Sequence, residues 1–135
     1  MYEGYGLTLF EPRKEGSNLD EIPDEFTVDY FSMQFRQRWR EGRLDSDDGK
    51  SLFWSIPELD SGDDDYPSYS GYFSFVDKGI WFGLAPYSTI LTFVRWFRSI
   101  VTAEYPVYFH RLTRDVVLRI NIQTTEEEII EYLEH

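Results

Sequence analysis

The chain has 135 residues, no cysteine, and 25 acidic against 13 basic side chains, for a formal net charge of −12. That length suits one domain with one core, and the missing cysteines exclude disulfides, thiolate metal sites and cysteine nucleophiles. A field of this sign disfavours nucleic acid and anionic membranes, and no apolar run is long enough to predict a membrane span.

Residues 1–7 lack the basic and apolar regions of a secretory leader, so a cytoplasmic location is expected. Tyr5 to Phe10 reads as a short strand closed by Pro12, and residues 13–25 read as a polar loop.

Residues 26–40 fit two periods. As a helix, Val28, Phe31, Phe35 and Trp39 form a stripe with Gly42 as a cap. As a strand, Phe31, Met33, Phe35 and Trp39 alternate with polar residues, and Gln37 breaks the rhythm. Aromatic and β-branched enrichment favours the strand. On that strand Arg36, Arg38 and Arg40 share one face, which makes them candidate anion or ligand contacts. A solvated sheet face is the plainer explanation of the same three residues.

Asp45-Ser46-Asp47-Asp48-Gly49 has the composition of a calcium loop but not its spacing, because an EF-hand reading puts Ile56 where the bidentate glutamate belongs. It reads as a turn. Leu52, Trp54 and Ile56 then alternate with Phe53 and Ser55 in a strand ended by Pro57. Residues 41–65 carry nine carboxylates against two basic side chains. Asp63, Asp64 and Asp65, with Tyr66, Tyr69 and Trp54 nearby in sequence, form a candidate patch for a basic partner. Acidic runs are more often solvated loops.

Asp77-Lys78-Gly79 predicts a three-residue hairpin loop that pairs Val76 with Ile80, Phe75 with Trp81 and Ser74 with Phe82. That register places Tyr72, Val76, Ile80, Phe82 and Leu84 on one face and Phe73, Phe75 and Trp81 on the other. With both faces apolar, the hairpin belongs in the middle of a sheet. A helix over 87–103 follows, with Ile90, Phe93, Val94, Phe97, Ile100 and Val101 as its core stripe and Trp96 at the boundary. A second hairpin pairs Val107–Leu112 with Val116–Ile122, whose Val116, Leu118, Ile120 and Ile122 face inward. Thr125 and Glu128 have the spacing of a capping box opening a helix over 125–134. The closing residues 133–135, Leu-Glu-His, read as the remnant of an expression tag.

His110, placed mid-strand among aromatic residues, is the one histidine outside that remnant. Any histidine-based triad would have to be built on it, and a packed strand residue is the plainer reading. No catalytic residue, cofactor or metal site is assigned, and no phosphate-loop, dinucleotide or zincin motif occurs. The expected fold is α+β, a single domain over 1–135. It has a mostly antiparallel sheet of five to seven strands and two helices packed on one face. The leading functional expectation is a small acidic interaction protein that binds a basic protein, in the manner of an inhibitor, antidote or immunity protein. Two others stand beside it. One is a ligand-binding or enzymatic module whose aromatic-lined pocket lies between sheet and helix, with Arg36, Arg38, Arg40 or His110 as the polar group. The other is a homo-oligomer that buries surplus tryptophans.

Overall fold

Where apolar and polar residues alternate at period two, one side of the segment must be covered, and three amphipathic helices supply the cover. A computed structural model describes residues 4–9, 26–46, 51–65, 67–74, 79–112 and 116–134. In chain order the elements are β1 (Tyr5–Thr8), α1 (Val28–Arg38), β2 (Arg43–Ser46), β3 (Ser51–Asp60) and β4 (Ser68–Ser74). They continue with β5 (Gly79–Phe82), α2 (Tyr87–Ile100), β6 (Val107–Arg111), β7 (Val117–Ile120) and α3 (Glu126–Glu134). The strands form one sheet of order β2-β3-β4-β5-β1-β6-β7, antiparallel at every pairing. The expected α+β class holds, with three helices rather than two.

The third helix is α1, where the strand reading of 26–40 was favoured. The correction has a tertiary cause. A helix gathers Phe31, Phe35 and Trp39 onto one stripe, and all three rings meet Trp96 of α2 edge-on at 5.8–6.2 Å between centroids. Phe31 also stacks on Phe73 of β4 at 4.6 Å. Met33, which the strand reading grouped with these rings, is left 48% exposed. Thr27 caps the helix by accepting from the Tyr30 amide at 3.1 Å. Trp96, read from the sequence as a boundary residue, is therefore buried as the seam between two helices.

The centre of the sheet–helix layer is Trp54. Its ring lies over Gly71, its cross-strand partner, and Phe93 of α2 stacks on it at 4.7 Å and 18°. Phe82 meets the same Phe93 at 5.0 Å and Tyr69 meets Trp54 at 5.7 Å, both edge-on. Ring pairs of this kind contribute about 1 kcal/mol each beyond the area they bury.

The β4–β5 register differs from expectation. Phe73 pairs with Ile80, Tyr72 with Trp81 and Ser74 with Gly79. The expected partners Phe75 and Val76 lie outside the described residues. The offset is odd, so β4 presents its opposite face: Phe73 joins Ile80 and Phe82 under the helices, and Tyr72 joins Trp81 on the other side. In β7, Ile120 is buried and Leu118 half-buried as expected, but Val116 and Ile122 lie beyond the strand ends and are 61% and 70% exposed. The α2 stripe and the capping box match the sequence reading, with the Glu128 amide donating to Thr125 Oγ1 and the Thr125 amide to Glu128 Oε1, both at 3.2 Å. Leu133 is buried within α3, so it is part of the core.

Arg98 closes the far end of α2. It is 5% exposed, and its two terminal nitrogens donate to four carbonyls: Tyr105 at 2.8 Å, Ile120 at 3.2 Å, Val101 at 3.1 Å and Thr102 at 2.8 Å. One side chain thereby ends the helix and anchors it to β7 and to the segment leading into β6. Burial, and secondarily the charge of Arg119, lowers its pKa from the ordinary arginine value.

Two substitutions test this account. An alanine at Gly71 would set its Cβ 2.1 Å from the Trp81 carbonyl oxygen and 2.5 Å from the Trp54 ring. Gly71→Ala is therefore expected to lower stability by about 3 kcal/mol in urea unfolding. Arg98→Met leaves four carbonyls without their donor and is expected to lower stability by about 3 kcal/mol in the same assay.

Candidate functional site

The strand registers place one row of residues straight across the sheet: Asp45, Phe53, Tyr72, Trp81, Gly6, His110 and Val117. Side chains paired across strands share a face. This face is opposite the one that α1, α2 and α3 cover through Phe73, Trp54, Phe82 and Phe109. Among the described residues no helix packs on it.

Along the row, Phe53 and Tyr72 have ring centroids 6.2 Å apart, and Tyr72 stacks on Trp81 at 5.3 Å and 17°. Phe53 is 49% and Tyr72 39% exposed, although both are large apolar or amphipathic rings. Trp81 lies against the backbone. A Cβ on Gly6 would sit 3.3 Å from its Nε1, and a Cβ on Gly79 2.8 Å from its Cη2. Only residues without a side chain let the indole lie this close to the strands. Gly6 also admits the His110 ring, whose Nε2 would be 2.6 Å from a Cβ there. Between β2, β3 and β4 the face forms a shallow depression of about 530 Å³, with Arg43, Asp45, Ser55 and Ser70 around the two exposed rings. Such a surface is broad and flat, suited to an extended chain rather than to an enclosed small molecule.

The turn between β3 and β4 carries the acidic run. Its backbone is held by its own side chains. Asp60 Oδ1 accepts from the Gly62 amide at 2.8 Å, Ser61 Oγ from the Asp63 amide at 3.1 Å, and Asp63 Oδ1 from the Asp65 amide at 2.9 Å. Gly62 takes the left-handed conformation, φ 79°, that the turn needs. Thr89 in the first turn of α2 donates to the Asp60 carbonyl at 2.6 Å, tying loop to helix. Asp63, Asp64 and Asp65 are exposed, as are Tyr87, which opens α2, and Leu84 in the link before it.

The residues picked from the sequence are thus divided. Asp63, Asp64 and Asp65 stand together on the surface. Trp54 and Tyr69 do not join them. They are 1% and 2% exposed in the helix-side core, where the Tyr69 hydroxyl donates to the Gly83 carbonyl at 2.5 Å. Tyr66 lies outside the described residues. Arg36, Arg38 and Arg40 are exposed but on and just after a helix rather than along a strand, so residues two apart no longer share a face. Arg38 lies over the Trp39 ring at 3.9 Å. His110 is buried on the other face of the sheet, so the arginines and His110 do not converge. The space between sheet and α2, where an aromatic pocket was expected, is filled by Trp54, Phe93, Phe82 and Phe97.

Sequence reasoning missed the Phe53–Tyr72–Trp81 row. The outward direction of Phe53 was readable from its alternation with Leu52 and Trp54, but the expected register put Tyr72 and Trp81 on opposite faces. Among the described residues no group of three or more histidines or carboxylates is placed to hold a metal, and no helix is long and apolar enough to cross a membrane. No protein-family model, curated protein or solved structure matches this chain.

Gly6→Ala tests the packing of the face. The clash with the His110 ring is expected to lower stability by about 2 kcal/mol and to shift the His110 and Trp81 ring resonances in NMR spectra, with the Trp54 resonances unmoved.

Proposed function

We propose that this chain is a protein-interaction module that binds a basic partner segment along the β3–β4 hairpin. The observation that carries the reading is the Phe53–Tyr72–Trp81 row, with Phe53 and Tyr72 exposed and Tyr72 stacked on the half-buried Trp81, on a sheet face that no helix covers among the described residues, in a chain with net charge −12. Aromatic faces attract arginine and lysine, and flat rings are the side chains that most often anchor protein interfaces. Asp63, Asp64 and Asp65 at the hairpin tip add a fixed anionic end, whose part is to speed encounter and set orientation more than to supply affinity.

Size follows from geometry. Ser68 and Tyr72 are four residues apart on β4, about 13 Å along a strand. An extended segment of about four residues spans that distance, with cationic side chains at the tip end and a cationic or aromatic one against Tyr72. A role in neutralising a basic protein, as an inhibitor or antidote does, fits this chemistry.

The test is fluorescence anisotropy with a labelled arginine-rich peptide. Binding is expected at low salt and weaker binding at high salt. Tyr72→Ala is expected to weaken it about tenfold at either salt. Replacing Asp63, Asp64 and Asp65 together by asparagine should weaken it at low salt and flatten the salt dependence. A peptide that does not bind, or that binds both variants as well as the parent, refutes the reading.

A further inference from the structure

Arg98 is held by carbonyl dipoles at the end of α2 rather than by a counter-charge among the described residues. Its acceptors are all backbone carbonyls, and its Nε, also buried, has no acceptor among the described residues. Arg119 adds a second positive charge nearby, and the burial of Arg98 disfavours its charged form. Guanidinium groups keep their proton in proteins, so this region holds a buried cation bonded to dipoles and, among the described residues, to no carboxylate.

Arg98 also lines an open pocket of about 220 Å³ between the end of α2, the end of β7 and the start of α3. Arg95 and Asn121 contribute further donors to the lining, and Ile120, Ile122 and Ile129 form its apolar part. Asn121 Oδ1 is used by the Gln123 amide at 2.8 Å, which leaves the NH₂ of that side chain as the group it can offer. Arg95 pairs with Glu126 at 2.6 Å, but with both side chains more than half exposed. Such a pair is worth at most about 1 kcal/mol, so Arg95 can turn to a better-placed anion.

We infer that this pocket binds a small aliphatic carboxylate. One negative charge would sit against Arg95, the Asn121 amide and the remaining Arg98 Nε–H, and a short hydrocarbon tail against the three isoleucines. The volume, at about 30 Å³ for each water-sized group, admits a ligand of a handful of heavy atoms. The apolar lining argues against phosphate, which has no tail to bury. The site lies apart from the β3–β4 hairpin and is independent of any partner bound there.

The experiment is titration of the full chain with sodium butyrate, sodium phosphate and n-butanol, followed by amide NMR shifts. Butyrate is expected to give saturable shifts centred on Asn121 and Ile129, and butanol none that saturate. Two variants at exposed positions keep the fold intact. Arg95→Gln is expected to weaken butyrate about tenfold, the worth of one charge-assisted hydrogen bond. Ile122→Trp, which fills the pocket from its rim, should abolish the shifts. Absence of saturable shifts, an equal response to butanol, tighter binding of phosphate, or undiminished binding in Ile122→Trp would each overturn the proposal. Shifts confined to Tyr72 and Trp81 would do the same, because they place the ligand on the other face.

Discussion

The contact on which the other packing depends is the Trp54 ring held between the bare backbone of Gly71 and the ring of Phe93. It sets how closely α2 approaches the sheet, because no side chain separates the indole from the strand beneath it. From Phe93 the contact chain runs on to Trp96 and then to Phe31, Phe35 and Trp39. The position of α1 is therefore inherited from that of α2, which is inherited from one glycine. Large flat rings fill a layer with few residues and at definite angles, so the arrangement is specific as well as apolar.

The polar framework complements this layer at its ends. Thr89 ties the start of α2 to the β3–β4 turn, and Arg98 ties its end to the carbonyls around β7. Tyr30 of α1 donates to the Ile100 carbonyl, so the same end of α2 is also fixed to α1. The acids at the start of α3 sit where the helix dipole favours them, which accounts for part of the negative charge without invoking a partner. Asp63 holds the β3–β4 turn through the Asp65 amide, but the charge on Asp64 and Asp65 has no such local account, and it is the charge the proposed partner would answer.

The centre of the sheet–helix layer is filled, and the exposed rings Phe53 and Tyr72 lie on the opposite face. On the helix-free face Gly6 and Gly79 do for Trp81 what Gly71 does for Trp54, letting an indole lie flat on the strands. The difference is that among the described residues no helical ring covers Trp81; Tyr72 does so from the side, and Phe53 continues the row toward the sheet edge. Two tryptophans in similar cradles thus lie on opposite faces, Trp54 closing the core and Trp81 half-buried beneath Tyr72.

Sequence alone determined what rests on local period and local chemistry. The alternation of Leu52 to Ile56 specifies a strand buried on one side, the spacing of Ile90 to Val101 specifies the packed face of α2, and Thr125 with Glu128 specifies the start of α3. These signals involve residues a few positions apart, and neighbours in the chain are enough to read them. Tertiary structure decided the rest. Residues 26–40 satisfied both periods, and the choice fell to the helix because only that form gathers three rings around Trp96. An odd offset in the β4–β5 pairing moved Phe73 into the core and Tyr72 onto the surface, since adjacent strand residues face opposite ways. That Tyr72 rather than Tyr69 reaches solvent followed from that single register. Arg98 stood in the middle of an apolar stripe without betraying its purpose, because its four acceptors are backbone carbonyls, one from β7 and three from the turns that follow α2, assembled only when the chain has folded.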